Sequence, residues 1–241
     1  MTYIKSAFTY FTLILSVFFL SLTGCKADSA DNRENEASAE LTSDKATSDE
    51  KVRRAINYEK LDTATFAGGC FWCTETVFER VEGVQEVVSG YAGGSEDSPT
   101  YEQVSAGNTS HAEAVQVYYH PEVVSFEKLV EVFFKGAHDP TQLNRQGPDV
   151  GKQYRSVAFY ANNKEKKIIE NMIKKLDSEG YYSDPIVTQV QMTDRFWMAE
   201  DYHQDYYVNH PDNSYIRNVS KPKVEKFEKK FKDILKDDYP Q

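Results

Sequence analysis

The apolar residues of this chain fall into three successive patterns, and each predicts a different kind of segment. From Ala7 to Leu20 they form one apolar run, preceded by Lys5 and followed by small residues. From Lys26 to about Arg54 large apolar side chains almost disappear. Beyond that point alternation at every second residue and recurrence at helical spacing take turns, the signature of a folded domain with both strands and helices.

Within that domain, Leu61 to Ala67 predicts a short strand running into Gly68 and Gly69, and Phe71 to Arg80 carries apolar residues at helical spacing. Val84 to Tyr91 and Ala112 to Tyr119, rich in β-branched and aromatic residues, predict two more strands, with a Gly-, Ser- and Asp-dense stretch between them. Ser125 is placed to cap a helix over Phe126 to Ala137, and a long polar loop containing Pro140, Gly147, Pro148 and Gly151 follows. Gln153 to Tyr160 predicts a strand, Lys164 to Ser178 an amphipathic helix stopped by Gly180, Ile186 to Met192 a strand, and Lys221 to Lys236 a charged helix. Strands and helices mix without strict βαβ alternation, so the expected class is α+β, a two-layer sandwich on a mixed sheet.

The first two patterns change the address. The run from Ala7 to Leu20 is shorter than the roughly 20 residues a spanning helix needs, which favours an export signal over a signal anchor. Leu22, Thr23, Gly24 and Cys25 resemble a bacterial lipobox, which implies cleavage after residue 24, lipid on the Cys25 sulfur and a membrane anchor. Residues 25–57 are then an acidic tether too poor in apolar surface to order itself, and residues 58–241 the domain. Lys26 to Glu50 holds eight acidic and three basic residues, a net of −5 within a formal chain total of −10. The acidity thus belongs largely to the tether, and it argues against a nucleic-acid partner.

The densest chemistry lies in Gly68, Gly69, Cys70, Phe71, Trp72, Cys73. Two glycines allow a tight turn and a close approach. A helix beginning at Cys70 would set its sulfur among free backbone N–H groups, which lowers a thiol from its usual value of about 8.5 and makes Cys70 the nucleophile. Cys73 lies on the same helix face, so a disulfide between them is geometrically feasible. The pair alone leaves open a zinc half-site, a structural disulfide and a thioredoxin-like disulfide exchanger. The five histidines show no tight ligand spacing for a metal. Glu113 shares a strand face with Val115, Val117 and Tyr119. If that face packs inward, burial keeps the carboxyl protonated near neutral pH and makes it an acid.

Several longer motifs, GGCFWCTE at Gly68 to Glu75, SGYAGG at Ser89 to Gly94, SPTYEQV at Ser98 to Val104 and HAEAV at His111 to Val115, resemble the peptide-methionine (S)-sulfoxide reductases. HDPTQLNRQGPDVGKQYRS from His138 to Ser156 and AEDYHQDY from Ala199 to Tyr206 extend the resemblance, which runs from about Thr65 to Tyr207. It implies a ferredoxin-like core and a set of roles. Cys70 would attack the sulfoxide sulfur, Phe71 and Trp72 would hold the methyl group, and Glu113 would protonate the oxygen. Tyr91 and Tyr154 would hydrogen-bond that oxygen, and Asp149 would help hold the substrate. A sulfenic acid on Cys70 would condense with a second thiol, and a thioredoxin-like donor would reset the disulfide. No flavin, metal or nicotinamide is required by these residues. The sequence departs from the family at one point. Many members resolve the intermediate with a cysteine near the C terminus, whereas none follows Cys73 here, which leaves Cys73 as the resolving candidate.

Overall fold

A computed structural model describes residues 58–237 and Tyr239. The export signal, the lipidated Cys25 and the tether expected over residues 1–57 lie outside the described residues. Among the described residues no helix is long and apolar enough to cross a membrane.

The chain enters on strand β1 (Asp62–Gly68), turns through Gly69 into helix α1 (Phe71–Glu79), and returns on β2 (Val84–Ala92). A short helix α2 (Tyr101–Ser105) precedes β3 (Ala112–Tyr119), and α3 (Phe126–Val132) continues into a wide π turn over Phe133–Ala137. A small hairpin of β4 (Arg145–Gln146) and β5 (Asp149–Val150) leads through a 3-10 turn at Lys152–Tyr154 to β6 (Ser156–Tyr160). Then come α4 (Asn163–Ser178), β7 (Gln189–Met192), β8 (Phe196–Met198), α5 (Tyr206–Asn209), a π turn at Ile216–Ser220 and α6 (Lys221–Lys230). The sheet runs β7-β6-β1-β3-β2-β8. Its central four strands are antiparallel and follow a β-α-β-β-α-β chain order, while β7 adds parallel to β6, so the sheet is mixed as the sequence predicts.

Alternation across the pleat divides the strands between two buried layers. Phe66, Val115, Val117 and Tyr91 point into the main core with α1 and α3, and Ala67, Ala92, Ala112, Ala114, Val157 and Phe159 form the second cluster. Phe66 is the centre of the larger layer, its ring 4.8 Å from that of Phe133 and 5.1 Å from that of Phe78. Offset aromatic packing of this kind adds to the burial of large apolar rings.

Several elements differ from the sequence reading, among them the strand expected from Ile186, which begins at Gln189. The helix expected through Ala137 is α-helical only to Val132, and the wide turn after it lets Phe227 of α6 lie against Gly136, where a Cβ would meet Phe227 Cδ2 at 2.8 Å. The tail helix stops at Lys230 because the chain beyond it pairs with the end of α1: Glu82 N–H donates to the Ile234 carbonyl and Lys236 N–H to that of Arg80. Lys152–Tyr154 turns away from β6, which takes Tyr154 out of the expected strand. Helix α2 has a complete capping box from Thr100 and Gln103, a signal present in the sequence inside a stretch read only as a connection.

The stacked core generates a stability prediction. Phe66→Ala removes a fully buried ring from three aromatic neighbours. Chemical denaturation should show a loss of about 3–5 kcal/mol; a loss below about 1 kcal/mol would mean the ring does not hold this layer together.

Candidate active site

The site begins where β1 gives way to α1. Gly69 adopts φ +93°, and a Cβ there would meet Gln146 carbon atoms at 2.6 Å; a Cβ on Gly68 would meet His138 Cγ at 2.9 Å. The two glycines therefore let the β4–β5 hairpin and the segment after the first π turn close directly over the chain. Cys70 is the N-cap residue of α1, and its carbonyl accepts from Cys73 N–H and Thr74 N–H at 3.1 and 3.3 Å.

One expectation is overturned here. The Cys70 sulfur makes no capping bond to the free N–H groups of the helix. The first of them, on Phe71, instead donates to Glu113 Oε2 at 3.0 Å. Cys70 is 6% exposed, and burial, then Cys73 and Glu113, push its thiol well above the ordinary value. Cys73 moves the other way, to about 7, chiefly because Cys70 hydrogen-bonds to its sulfur. Burial opposes that shift, and Lys223 and Ser220 favour it. Both cysteines are free thiols, one turn of helix apart.

Glu113 stands opposite Tyr91 in the β2–β3 register and faces the main core with Val115 and Val117. At 2% exposure its carboxyl is raised to about 8 by burial, against the opposing pull of the Phe71 N–H. The conditional reading of the sequence is resolved in favour of the inward face, so the group is predominantly protonated at neutral pH.

The aromatic residues divide into engaged and open. Phe71 is fully buried, with ring contacts to Trp72, Tyr91, Tyr101 and His203, so it forms the floor of the site. Half-buried Trp72 stacks on Tyr206 at 3.8 Å and donates its indole N–H to His203 Nδ1 at 3.1 Å. Burial pushes His203 down to about 4, and a neutral ring is what an indole donor requires. The Tyr91 hydroxyl donates to Glu200 at 2.8 Å, so its proton is committed to that carboxylate and not turned to the site. Tyr154, lifted out of β6 by its turn, is raised by burial and then by the charges of Glu113, Asp149 and Cys70. Asp149, on β5, accepts from the Tyr215 hydroxyl at 2.6 Å.

Tyr215 and Ser220 escape sequence reasoning. The Tyr215 hydroxyl donates to Asp149, and the Ser220 hydroxyl lies 3.1 Å from the Cys73 sulfur. Both come from the irregular stretch after α5, where the sequence has no periodic pattern to mark them. His203 and Tyr206, by contrast, stand inside the AEDYHQDY motif and could have been drawn from it.

The comparisons bear on what this arrangement is for. A family model described as peptide methionine sulfoxide reductase matches residues 62–235. The peptide methionine sulfoxide reductase MsrA of Natronomonas pharaonis is 50% identical over 169 residues, covering 70% of this chain and 94% of that protein. MsrA 1 of Rhodopirellula baltica is 53% identical over 175 residues, covering 73% and 90%. Among solved structures, methionine sulfoxide reductase A of Corynebacterium diphtheriae is 35% identical with a TM-score of 0.57, covering 64% of this chain and 77% of that one. Mxr1 from Saccharomyces cerevisiae in reduced form is also 35% identical, with a TM-score of 0.58 over 64% and 88% of the two chains. Since the family model spans the fold from β1 to beyond α6, and relatives at about half identity match along nearly their whole length, this chain belongs to the peptide methionine sulfoxide reductase family, oxidoreductases that reduce methionine sulfoxide.

Proposed function

We propose that the chain reduces the (S) epimer of methionine sulfoxide, free or in proteins, with Cys70 as nucleophile, Glu113 as acid and Cys73 as resolving thiol. The observation that carries this reading is a buried carboxyl tied by the Phe71 N–H to the same helix end that holds the sulfur pair. Disulfide exchange needs no such acid; sulfoxide reduction does, because oxygen must leave sulfur with a proton.

The Cys70 sulfur bonds to the sulfoxide sulfur while Glu113 protonates the oxygen; the oxygen then passes to the Cys70 sulfur as its bond to the substrate sulfur and the transient S–S bond both break, so that methionine leaves and Cys70 becomes a sulfenic acid. The substrate sulfur is reduced by two electrons and the Cys70 sulfur oxidised by two, and the thiol proton restores Glu113. Trp72 and Phe71 supply the apolar wall for the methyl group, Tyr154 a phenol directed at the oxygen, and Asp149 the loop contact to substrate. Tyr91 acts through Glu200, which also accepts from Tyr101 N–H at 2.9 Å and so fixes the wall behind Phe71. Cys73 then displaces water from the sulfenic acid, and a thioredoxin-like dithiol donor returns two electrons and two protons. The lipobox-like Leu22 to Cys25 supports attachment of this domain to a membrane of the bacterial envelope through lipid on Cys25.

Three outcomes test these assignments. With one sulfoxide epimer offered at a time, Cys73→Ser should release one methionine per protein and then stop with a thioredoxin-like donor, while Cys70→Ser releases none; sustained cycling by Cys73→Ser would remove it from the mechanism. Glu113→Gln should slow the first turnover at pH 7 by about 10²- to 10⁴-fold. It should also abolish the wild-type decline in rate as pH passes about 8, where Glu113 ionises. Because the folded carboxyl holds its proton where the unfolded one has lost it, wild-type stability falls from about pH 4.5 towards 8, and the Gln variant should gain in Tm relative to wild type across that window. A constant Tm difference would show that the carboxyl is not held protonated. Finally, expressed in a bacterial host, the full chain should partition with membranes and Cys25→Ala should not, read by fractionation; equal partitioning argues against the anchor.

A further inference from the structure

The π turn at Ile216–Ser220 reaches the sulfur pair. Ser220, its last residue, places its hydroxyl 3.1 Å from the Cys73 sulfur, 147 residues away in sequence, and Tyr215, the residue before the turn, donates its hydroxyl to Asp149. Ser220 is fully buried, so this contact is not a solvent-facing accident, and its oxygen has only the sulfur as a side-chain partner in the described residues. The i→i+5 spacing matters: the Lys221 N–H bonds to the Ile216 carbonyl, and the widened turn ends with Ser220 against the Cys73 sulfur. Lys223, one turn further along, is half-buried and shares a cavity wall with His138, Asp139 and Gln146, beside the Gly69 turn.

We infer that Ser220, backed by the positive charge of Lys223, is a positioning residue for the resolving step: it fixes the Cys73 sulfur and donates to it as the thiolate forms. This rests on the reading of Cys73 as resolving thiol. In the step itself the Cys73 sulfur bonds to the Cys70 sulfur, the S–O bond of the sulfenic acid breaks, and the oxygen departs as water with the Cys73 proton. No outside oxidant or reductant enters. A hydroxyl donor to a buried thiolate is a charge-assisted hydrogen bond, stronger than one to a neutral thiol, so Ser220 favours the ionised, attacking form of Cys73 over its resting one. The downward shift of Cys73, to which Lys223 and Ser220 both contribute, agrees with that assignment.

The test follows disulfide formation after one equivalent of methionine sulfoxide, by rapid quench with thiol alkylation and intact mass, from pH 6 to 9. Wild type should form the Cys70–Cys73 disulfide; if none forms, the resolving role of Cys73 fails and this inference with it, before any variant is compared. Ser220→Ala should still release one methionine per protein but form the disulfide about tenfold more slowly at pH 7. Its rate profile should move to higher pH, and a dimedone-reactive sulfenic acid should accumulate on Cys70. Ser220→Thr should restore the wild-type profile. Lys223→Gln, at a half-exposed position that leaves the buried packing intact, should move the profile in the same direction by a smaller amount. A wild-type disulfide rate and an unmoved pH profile in both Ser220→Ala and Lys223→Gln would overturn the inference, and so would a slow Ser220→Ala whose profile keeps its pH.

Discussion

One hydrogen bond organises the site: the Phe71 N–H donating to Glu113. It joins the first turn of α1 to the start of β3, and so couples the turn that carries Cys70 to the strand that carries Glu113. The N–H is one that helix geometry leaves without an internal partner, and the carboxyl is one that burial would otherwise leave with none. Each satisfies the other, which is why the carboxyl can sit beside the sulfurs at all. A carboxylate in the same place would repel a forming thiolate, whereas the neutral acid gives up a proton where one is needed.

The molecule accepts a stability cost for this arrangement. Glu113 is not the only carboxyl on or against α1 held from water: burial also raises Glu75, on the same helix, and brings Glu79 to about 8. Groups forced to keep their protons oppose folding in the pH range where the unfolded chain would release them. Against this stand the stacked phenylalanines around Phe66 and the clamp of the C-terminal stretch, which meets the end of α1 through the backbone of Arg80 and Glu82.

The same C-terminal stretch links packing to chemistry. Trp72 stacks on Tyr206 and bonds to His203, while Tyr215 reaches Asp149 and Ser220 reaches Cys73.

Much was legible in the residues themselves. Strand β3 was bounded to the residue, because a run of β-branched and aromatic residues favours extended backbone locally; the two glycines, the sulfur pair and the candidate acid could be read from equally local rules. That β3 is covered on both faces, so that Glu113 keeps its proton, was decided by what packs on the sheet. The direction of the Cys70 shift was likewise tertiary: an isolated helix end would lower it, but the enclosing side chains exclude water and the nearest N–H is already taken. Ser220 reaches Cys73, and Tyr215 reaches Asp149, only through turns shaped by distant contacts. Local backbone geometry is encoded within a few residues, whereas burial and charge depend on what the rest of the chain brings alongside.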